Sequence, residues 1–299
     1  MVRVRAKIIP LLILIAFTSA CNLPLANQAT EIVVSQTSDP TEPQVSPPTE
    51  TPSGVEPTPI SGEGNGLVLE AILITQPGQL SVVTSPVLVE GQSRPTFEQT
   101  LVVVVYDELG SLLGQQPITI QADAGSPGPF RIQVPFNVPR EQPGRISVYE
   151  TSAMDGGIIH LSSVEVTLRP DGVAEIVSAT IGLENIAIED PPPNVEISGG
   201  SIEVSGVSEY YFEATLGLRL CGGGDGGGAA DELCGEAHNV LGSGVAMIKS
   251  PEMGQPGPFS GTLTFSVSEP TPARIVVFAA SPRDGGLLHV SSIPVLLVP

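Results

Sequence analysis

The chain repeats a long stretch of its own sequence, and this limits its fold more than any other feature. Residues 125–168 align with residues 254–297 without a gap and are identical at 20 of 44 positions. Shorter matches pair residues 69–77 with 183–191, and 97–101 with 212–216. A spacing of 114–129 residues exceeds the roughly 20–50 residues of a solenoid repeat. The sequence therefore predicts two copies of one whole domain.

Each copy carries the alternation of a half-buried β-strand. In the first copy the apolar residues are Phe130, Ile132, Val134, Phe136 and Val138, and the second copy repeats the phase from Phe259. A period of two residues predicts a strand with one buried face. Pro135 within this run favours an edge position or a bulge.

A second strand has no readable phase by itself, because residues 101–106 are all apolar. The matching run in the second copy alternates, with Leu216, Leu218 and Leu220 at every other position. We therefore expect Leu101, Val103 and Val105 to face the core. Residues 145–149 and 160–168 predict two more strands, and the Asp- and Gly-containing segments 107–110 and 155–157 predict turns. About seven strands per copy indicate an all-β protein with two tandem Ig-like β-sandwich domains.

The N-terminus has the three zones of an export signal. Arg3, Arg5 and Lys7 precede an apolar run over residues 8–17, and small residues lead to Cys21. The apolar run is too short for a membrane-spanning helix, so residues 1–20 are predicted to be a signal peptide. Cys21 after Ser-Ala resembles the processing site of bacterial lipoproteins, and this resemblance implies lipidation of Cys21. The alternative is an ordinary secretory signal.

Residues 21–65 are predicted to form a disordered linker. They contain eight Pro, many Thr and Ser, and no aromatic residue, so they cannot bury enough apolar surface to fold. The predicted organisation is a lipoprotein signal peptide (1–20), this linker (21–65), a first Ig-like domain (66–169), a short linker (170–181) and a second Ig-like domain (182–299).

Several motifs follow one another in a characteristic order. An Ile-x-x-Pro sequence comes early, Phe-Glu-x-Thr-Leu precedes an apolar strand, a Gly/Pro-rich turn leads into Phe, and Ser-x-x-Asp-Gly precedes the last strand. This order resembles the immunoglobulin-like domain of bacterial spore germination, which is often found beside GerMN domains. The resemblance covers about 66–169 and 182–299. It implies an Ig-like fold and no catalytic residues, and the family name implies a germination role that we do not carry over.

The charge balance excludes one class of partner. The chain has 12 Lys and Arg against 32 Asp and Glu, a net charge of −20. A nucleic-acid binder would show a basic patch, so no nucleic acid is expected. Removal of residues 1–20 takes away three cations and no acid, which leaves −23. Because anionic headgroups repel such a surface, the lipid on Cys21 is expected to hold the chain at the membrane.

Cys221 and Cys234 flank a Gly-rich insertion in the second copy. Outside the cytoplasm, two thiols at the ends of one insertion predict a disulfide. The alternative is a calcium site built from Asp225, Asp231 and Glu232, since carboxylates suit calcium. The Gly runs and the spacing do not favour that alternative, so no metal and no cofactor is expected.

Ser152, Asp155 and His160 invite comparison with a catalytic triad, and Ser281, Asp284 and His289 repeat them. His160 shares parity with Ser162 and lies beside a hairpin turn, so a hydrogen-bonded histidine at the edge of the core is the favoured interpretation. Arg145 and Arg274 occupy equal places in the two copies. We expect them to pair with local acids, and the alternative is that they mark a binding face.

These features together predict a non-enzymatic protein that is lipid-anchored and extracytoplasmic at the bacterial membrane. Its two Ig-like modules would bind an unknown envelope protein or glycan, with added avidity if both engage one partner, or would act as a spacer. One alternative is an envelope hydrolase that uses Ser152, Asp155 and His160 or the equivalent set. Another is a calcium-dependent adhesin.

The lipid anchor can be tested directly. Mass spectrometry of the mature N-terminal peptide should show acyl chains on Cys21, and Cys21→Ala should release the protein from membranes because no other anchor is predicted. An unmodified Cys21 in the mature protein would refute the anchor.

Overall fold

The computed structural model describes residues 68–179, 182–223, 231–236 and 239–299. The expected signal peptide, Cys21 and the expected linker 21–65 lie outside the described residues. Within the described ranges the chain forms sixteen β-strands and two single-turn 3₁₀ segments, Phe97–Gln99 and Phe212–Ala214. No helix in these ranges is long and apolar enough to cross a membrane. The all-β, Ig-like sandwich fold expected from the sequence is confirmed.

The first module contains eight strands in two layers. One layer has the order β1-β3-β6, and the other has the order β5-β4-β7-β8 with β2 parallel to β8. The N-terminal segment of the module thus contributes to both layers: its first part pairs with β3 as β1, and its second part pairs with β8 as β2. The strands are β1 (Ile72–Gln76), β2 (Val82–Thr84), β3 (Val87–Ser93), β4 (Thr100–Tyr106), β5 (Leu112–Thr119), β6 (Gly128–Val134), β7 (Gln142–Thr151) and β8 (Ile158–Arg169).

The second module also has eight strands, and its two layers are joined at one edge. The order is β16-β15-β12-β13-β14-β11-β9, because β13 pairs with both β12 and β14, and β10 lies parallel to β16. The strands are β9 (Ile186–Asp190), β10 (Glu196–Ile197), β11 (Ser201–Ser208), β12 (Thr215–Gly222), β13 (Asn239–Ile248), β14 (Gly257–Thr264), β15 (Thr271–Ala280) and β16 (Leu287–Leu297).

Each module has its own apolar core, and the predicted alternation fills both. Leu101, Val103 and Val105 are buried in the first core, as the phase of the second copy predicted. The run from Phe130 also points inward, with Ile132 only partly buried. Pro135 directly follows β6, which is the edge strand of its layer, so the predicted edge position fits better than a bulge. The strand ends at Val134, since proline cannot donate to a ladder.

Glycine is required where Phe130 packs on β3. A Cβ at Gly91 would lie 2.2 Å from the carbonyl oxygen of Leu73 and 2.3 Å from the Phe130 ring. The second module has the same arrangement at Gly206, whose Cβ would meet Ala187 and Phe259. The missing side chain lets the aromatic ring lie against the backbone in each core.

The segment after β8 stays on the first module. The backbone of Glu175 pairs in both directions with Val82, and Ala179 donates to the carbonyl oxygen of Thr75. Residues 175–179 therefore lie against the start of the first module, which fixes where the second module begins.

Cys221 and Cys234 form a disulfide, which confirms the expected pairing. The two half-cystines are 13 residues apart and fully buried. Asp225, which the calcium alternative required, lies outside the described residues.

Removal of this disulfide should destabilise the protein. In the chain-entropy model, closing a loop of this size contributes about 3 kcal/mol, so Cys221→Ala with Cys234→Ala should lower the free energy of unfolding by about that amount. Urea denaturation measures it. An unchanged unfolding midpoint would show that the loop is held by its packing alone.

Candidate functional site

The two modules meet along a surface that we call the seam, formed by the outer faces of β7 and β8 and of β15 and β16. Alternation along β7 sends Ile146 and Val148 into the first core and leaves Arg145, Ser147 and Tyr149 on the outer face. A third apolar cluster fills the seam. Its buried members are Ile158, Leu161, Cys221, Leu233, Cys234, Val276, Leu287 and Val290.

Hydrogen bonds cross the seam reciprocally. Strands β8 and β16 pair antiparallel, with His289 opposite Ser162. The Ser163 hydroxyl donates to the carbonyl oxygen of Leu288 at 2.7 Å, and the Ser292 hydroxyl donates to that of Ile159 at 2.7 Å. The layers β5-β4-β7-β8 and β16-β15-β12 are therefore one continuous sheet.

Ion pairs also cross the seam in both directions. Nη1 of Arg145 lies 3.1 and 3.0 Å from the two carboxylate oxygens of Asp284, and both side chains are almost fully buried. Arg274 lies 3.6 Å from Asp155 and donates to the carbonyl oxygens of Ile158 and Leu233. The expected pairing of both arginines is confirmed, but each partner belongs to the other module and is not local.

The surroundings shift the pKa of two of these groups. Burial alone would raise the pKa of Asp284, but hydrogen bonds from Arg145, Ser281 and the backbone of Gly286 outweigh it and lower the pKa. Burial lowers the pKa of Arg274, and the nearby Asp155 opposes this. Asp284 thus remains ionised and paired.

The triad alternative required His160 to meet Ser152 and Asp155. The ring of His160 faces another way: its Nε2 lies 2.9 Å from Oε1 of Glu70, and Nδ1 has no hydrogen-bond partner in the described structure. Ser152 accepts a hydrogen bond from the Met154 backbone and belongs to the turn. The structure therefore places His160 as the favoured hydrogen-bonded core-edge histidine and does not join it to Ser152.

Four side chains converge where His160 meets the second module. His289 Nε2 lies 2.8 Å from Oε1 of Glu184, and His160 Nε2 lies 3.9 Å from the same oxygen. One ligand atom from each of Glu70, His160, Glu184 and His289 lies within 4.8 Å of the others. The two imidazole rings meet edge to face at 5.1 Å. We call these four residues the Glu–His cluster.

The backbone holds the carboxylates of this cluster crosswise. Glu70 accepts from the backbone of Asn185 at 3.2 Å, and Glu184 accepts from the backbone of Ala71 at 3.1 Å. Ser162 donates to Glu70 as well. Burial would raise the pKa of Glu70, but His160 and His289 lower it to about 2. Burial would lower the pKa of His289, and its hydrogen bond to Glu184 raises it overall.

Residues 231–234, at the C-terminal end of the disulfide loop, cover one end of the seam. Leu233 and Cys234 pack into the seam cluster, and the backbone of Ile158 donates to the carbonyl oxygen of Glu232. Asp231 accepts from Arg219 at 3.2 Å and from the backbone of Leu233. The Asp231 carboxylate thus holds the loop through these hydrogen bonds. It therefore gives no support to the calcium hypothesis.

Beside this loop lies an open cleft of about 350 Å³, which we call the seam cleft. Its polar floor includes two buried atoms that have no hydrogen-bond partner in the described structure, Nε of Arg145 and Oγ of Ser147. Tyr106 and Tyr149 flank them, and Arg145 stacks 5.2 Å from the centre of the Tyr106 ring. Burial raises the pKa of Glu232, which also lines the cleft.

Neither of these sites is predicted from the sequence. Glu70 and Glu184 occupy equal positions in the two copies, and so do His160 and His289, but a contact between the four residues is not predicted. The repeat does carry a signal for it, because a Glu and a His at equal positions in two copies can form reciprocal pairs when the copies dock face to face. The cleft residues Ser147 and Tyr149 carried no such signal, because the second copy has Val276 and Phe278 there.

The fold and the seam define a two-module Ig-like β-sandwich protein. Residues 71–157 match the family model of the immunoglobulin-like domain of bacterial spore germination. This match confirms the expected resemblance for most of the first module, and the resemblance of 182–299 stays a prediction. No curated protein matches the chain.

Several solved structures are similar to the chain at low TM-score. They include dimeric latent PorU from Porphyromonas gingivalis (11% identity, 77% of this chain and 24% of that chain, TM-score 0.22). The titin domains z1z2 in complex with telethonin match at 11% identity over 78% and 98%, TM-score 0.17. CBD12 from CALX1.2 matches at 12% over 75% and 100%, TM-score 0.17. The present chain thus spans about a quarter of the PorU chain.

The ion pair between Arg145 and Asp284 should make stability depend on pH. Its carboxylate has a pKa below the ordinary value of 3.8, so its contribution is present above about pH 4 and is lost as pH falls through the lowered pKa. Asp284→Asn should cost about 3–5 kcal/mol at pH 7, since it leaves the arginine charge buried and unpaired.

Urea unfolding of wild type and Asp284→Asn at pH 7 and pH 3 measures this dependence. The difference between the two proteins should shrink at the lower pH. Glu175→Gln, which alters an exposed pair with Arg169, serves as the control and should cost less than about 1 kcal/mol. A difference that stays constant with pH would contradict the assignment.

Proposed function

We propose that this chain is a non-enzymatic, lipid-anchored protein of the bacterial cell envelope whose two Ig-like modules form one body that binds glycan in the seam cleft. The observation that carries the proposal is the pair of buried, unpartnered polar atoms, Nε of Arg145 and Oγ of Ser147, between two tyrosine rings.

The chemistry of the cleft fits a neutral, hydroxyl-rich ligand. A buried donor without a partner costs free energy. Because both atoms are buried, a sugar hydroxyl reaches them only after a small side-chain shift that opens the cleft, and it then accepts from Nε of Arg145 and exchanges hydrogen bonds with Ser147. Tyr106 and Tyr149 offer flat apolar surface with a polar tip, which suits the C–H face of a sugar ring. A volume of about 350 Å³ lies at the low end of small-molecule sites.

The charge of the cleft also favours an uncharged ligand. The guanidinium of Arg145 is already neutralised by Asp284, so a second anion would find no free cation there. The carboxyl of Glu232, at the rim, would repel an anion further. A glycan is therefore favoured over an acidic peptide.

Binding is favoured over catalysis for a related reason. In the described structure the imidazoles of both cluster histidines face carboxylates, and Asp284 is held by Arg145. Neither histidine is directed at a serine that it could activate. The hydrolase alternative thus lacks the required hydrogen bonds, and the family resemblance brings no catalytic residue to replace them.

The proposal is tested by titrating the full chain with soluble, uncharged N-acetylglucosamine oligosaccharide fragments in a calorimeter. Ser147→Ala is the sharpest variant, because its hydroxyl has no partner in the described structure and its loss should not lower stability. We expect affinity to fall roughly fivefold to tenfold, the equivalent of one hydrogen bond. Tyr149→Ala should weaken binding further.

Ser250→Ala provides a matched control. Its hydroxyl is also buried without a partner in the described part of the chain, but it does not line the cleft, so glycan affinity should not change. If wild type binds none of the fragments, or if Ser147→Ala binds as tightly as wild type, the glycan proposal is wrong and a protein ligand or a spacer role takes its place.

A further inference from the structure

The Glu–His cluster lies apart from the seam cleft, and neither the family resemblance nor the proposed function uses it. Its four members come from both modules, and all four side chains are at least nine-tenths buried. Two carboxylates this close together, with little water, require positive charge between them. Protonated imidazoles supply it when no ion is bound, and a bound cation supplies it when the imidazoles are neutral.

We propose that Glu70, His160, Glu184 and His289 bind one divalent transition-metal ion, with Zn²⁺ as the best-fitting example, and that this ion joins the two modules. Each module contributes one carboxylate and one imidazole to the ion. The function proposed for the cleft does not enter this inference.

The donor set and its spacing carry the assignment. Two imidazole nitrogens with two carboxylate oxygens are ligands that zinc accepts in a tetrahedral site. Bonds of about 2.0–2.2 Å in a tetrahedron place ligand atoms about 3.3–3.6 Å apart. The separations here run from 2.8 Å to no more than 4.8 Å, so the four atoms surround a point that an ion can occupy after small side-chain shifts.

The surroundings orient the carboxylates for this role. The backbone N–H groups of Ala71 and Asn185 hold Oε2 of the two glutamates, which leaves each Oε1 directed toward the histidines. Ser162 adds a further bond to Glu70. Outer-shell bonds of this kind fix ligand orientation in metal sites.

The imidazoles are supported differently. Both Nδ1 atoms are buried without a hydrogen-bond partner in the described residues, whereas zinc-bound histidines usually donate this N–H to an acceptor. The rings are therefore held by packing and by their edge-to-face contact. We expect zinc affinity below that of structural sites in which every histidine has such an acceptor.

The test uses the purified full chain, stripped with a chelator and titrated with Zn²⁺ alone. Calorimetry and elemental analysis should show one zinc per chain, and thermal unfolding should shift upward with zinc because the ion binds the folded state. Mg²⁺, which prefers oxygen ligands, should produce no shift.

Variants locate the ion. His160→Gln and His289→Gln keep an amide donor for the glutamates but remove the imidazole ligand, so each should weaken zinc binding at least tenfold, since even outer-shell changes cost about 10–100-fold. Glu175→Gln serves as the control, because it removes a carboxylate of an exposed pair that is not a member of the cluster, and zinc affinity should not change.

X-ray absorption of the zinc-loaded wild type gives a readout that does not depend on any variant folding. We expect a first shell of nitrogen and oxygen with the outer scattering of two imidazoles. Failure to retain zinc, a sulfur ligand, or unchanged affinity in both folded His→Gln variants would overturn the proposal. None of these results bears on glycan binding at Ser147.

Discussion

The rest of the structure depends on the buried ion pairs and hydrogen bonds that charged side chains of each module form with the other module. Arg145 reaches across to Asp284, Arg274 reaches back to Asp155, and the carboxylates of the Glu–His cluster accept backbone N–H groups of the opposite module. Separating the modules would return these groups to water, so the ion pairs add little net free energy to the docking itself. Their effect is on its register, because a shifted arrangement would leave a buried charge facing the wrong group.

The reciprocity of these contacts fails at one place, where the disulfide loop enters the seam. Outward positions on β7 carry Ser147 and Tyr149, whereas the equivalent positions on β15 carry Val276 and Phe278. Leu233 and Cys234 from the insertion pack against Val276 in the apolar seam cluster. The β15 side is thus apolar and covered by the loop, while the β7 side is polar and keeps a cleft, with Glu232 of the same loop at its rim.

The sequence predicted each module well, because strand alternation and turn residues are local signals that report on one sandwich at a time. Phe130 lies in the core as its own spacing predicts, and Leu101 and Val103 lie there as the phase of the second copy predicts. The disulfide forms where two cysteines bound an insertion. The docking of the modules was not predicted, because an outward-facing Arg145 has the same sequence pattern whether it meets solvent or another module. The repetition of Arg145, Asp155 and His160 favours ion pairs or structural roles within each copy, although equal residues in two copies can also pair with one another across an interface.

This docking changes what two similar modules can contribute. Independent modules on a flexible connection gain avidity only by engaging one partner at two sites. Here the cleft takes Arg145 and Tyr149 from one module and Glu232 and Leu287 from the other, and the Glu–His cluster takes two ligands from each. Each copy contains half of the Glu–His cluster, whereas the first copy supplies nine of the twelve residues that line the cleft. The second copy therefore completes both sites, and any ligand or ion that contacts both modules stabilises the docked arrangement by mass action.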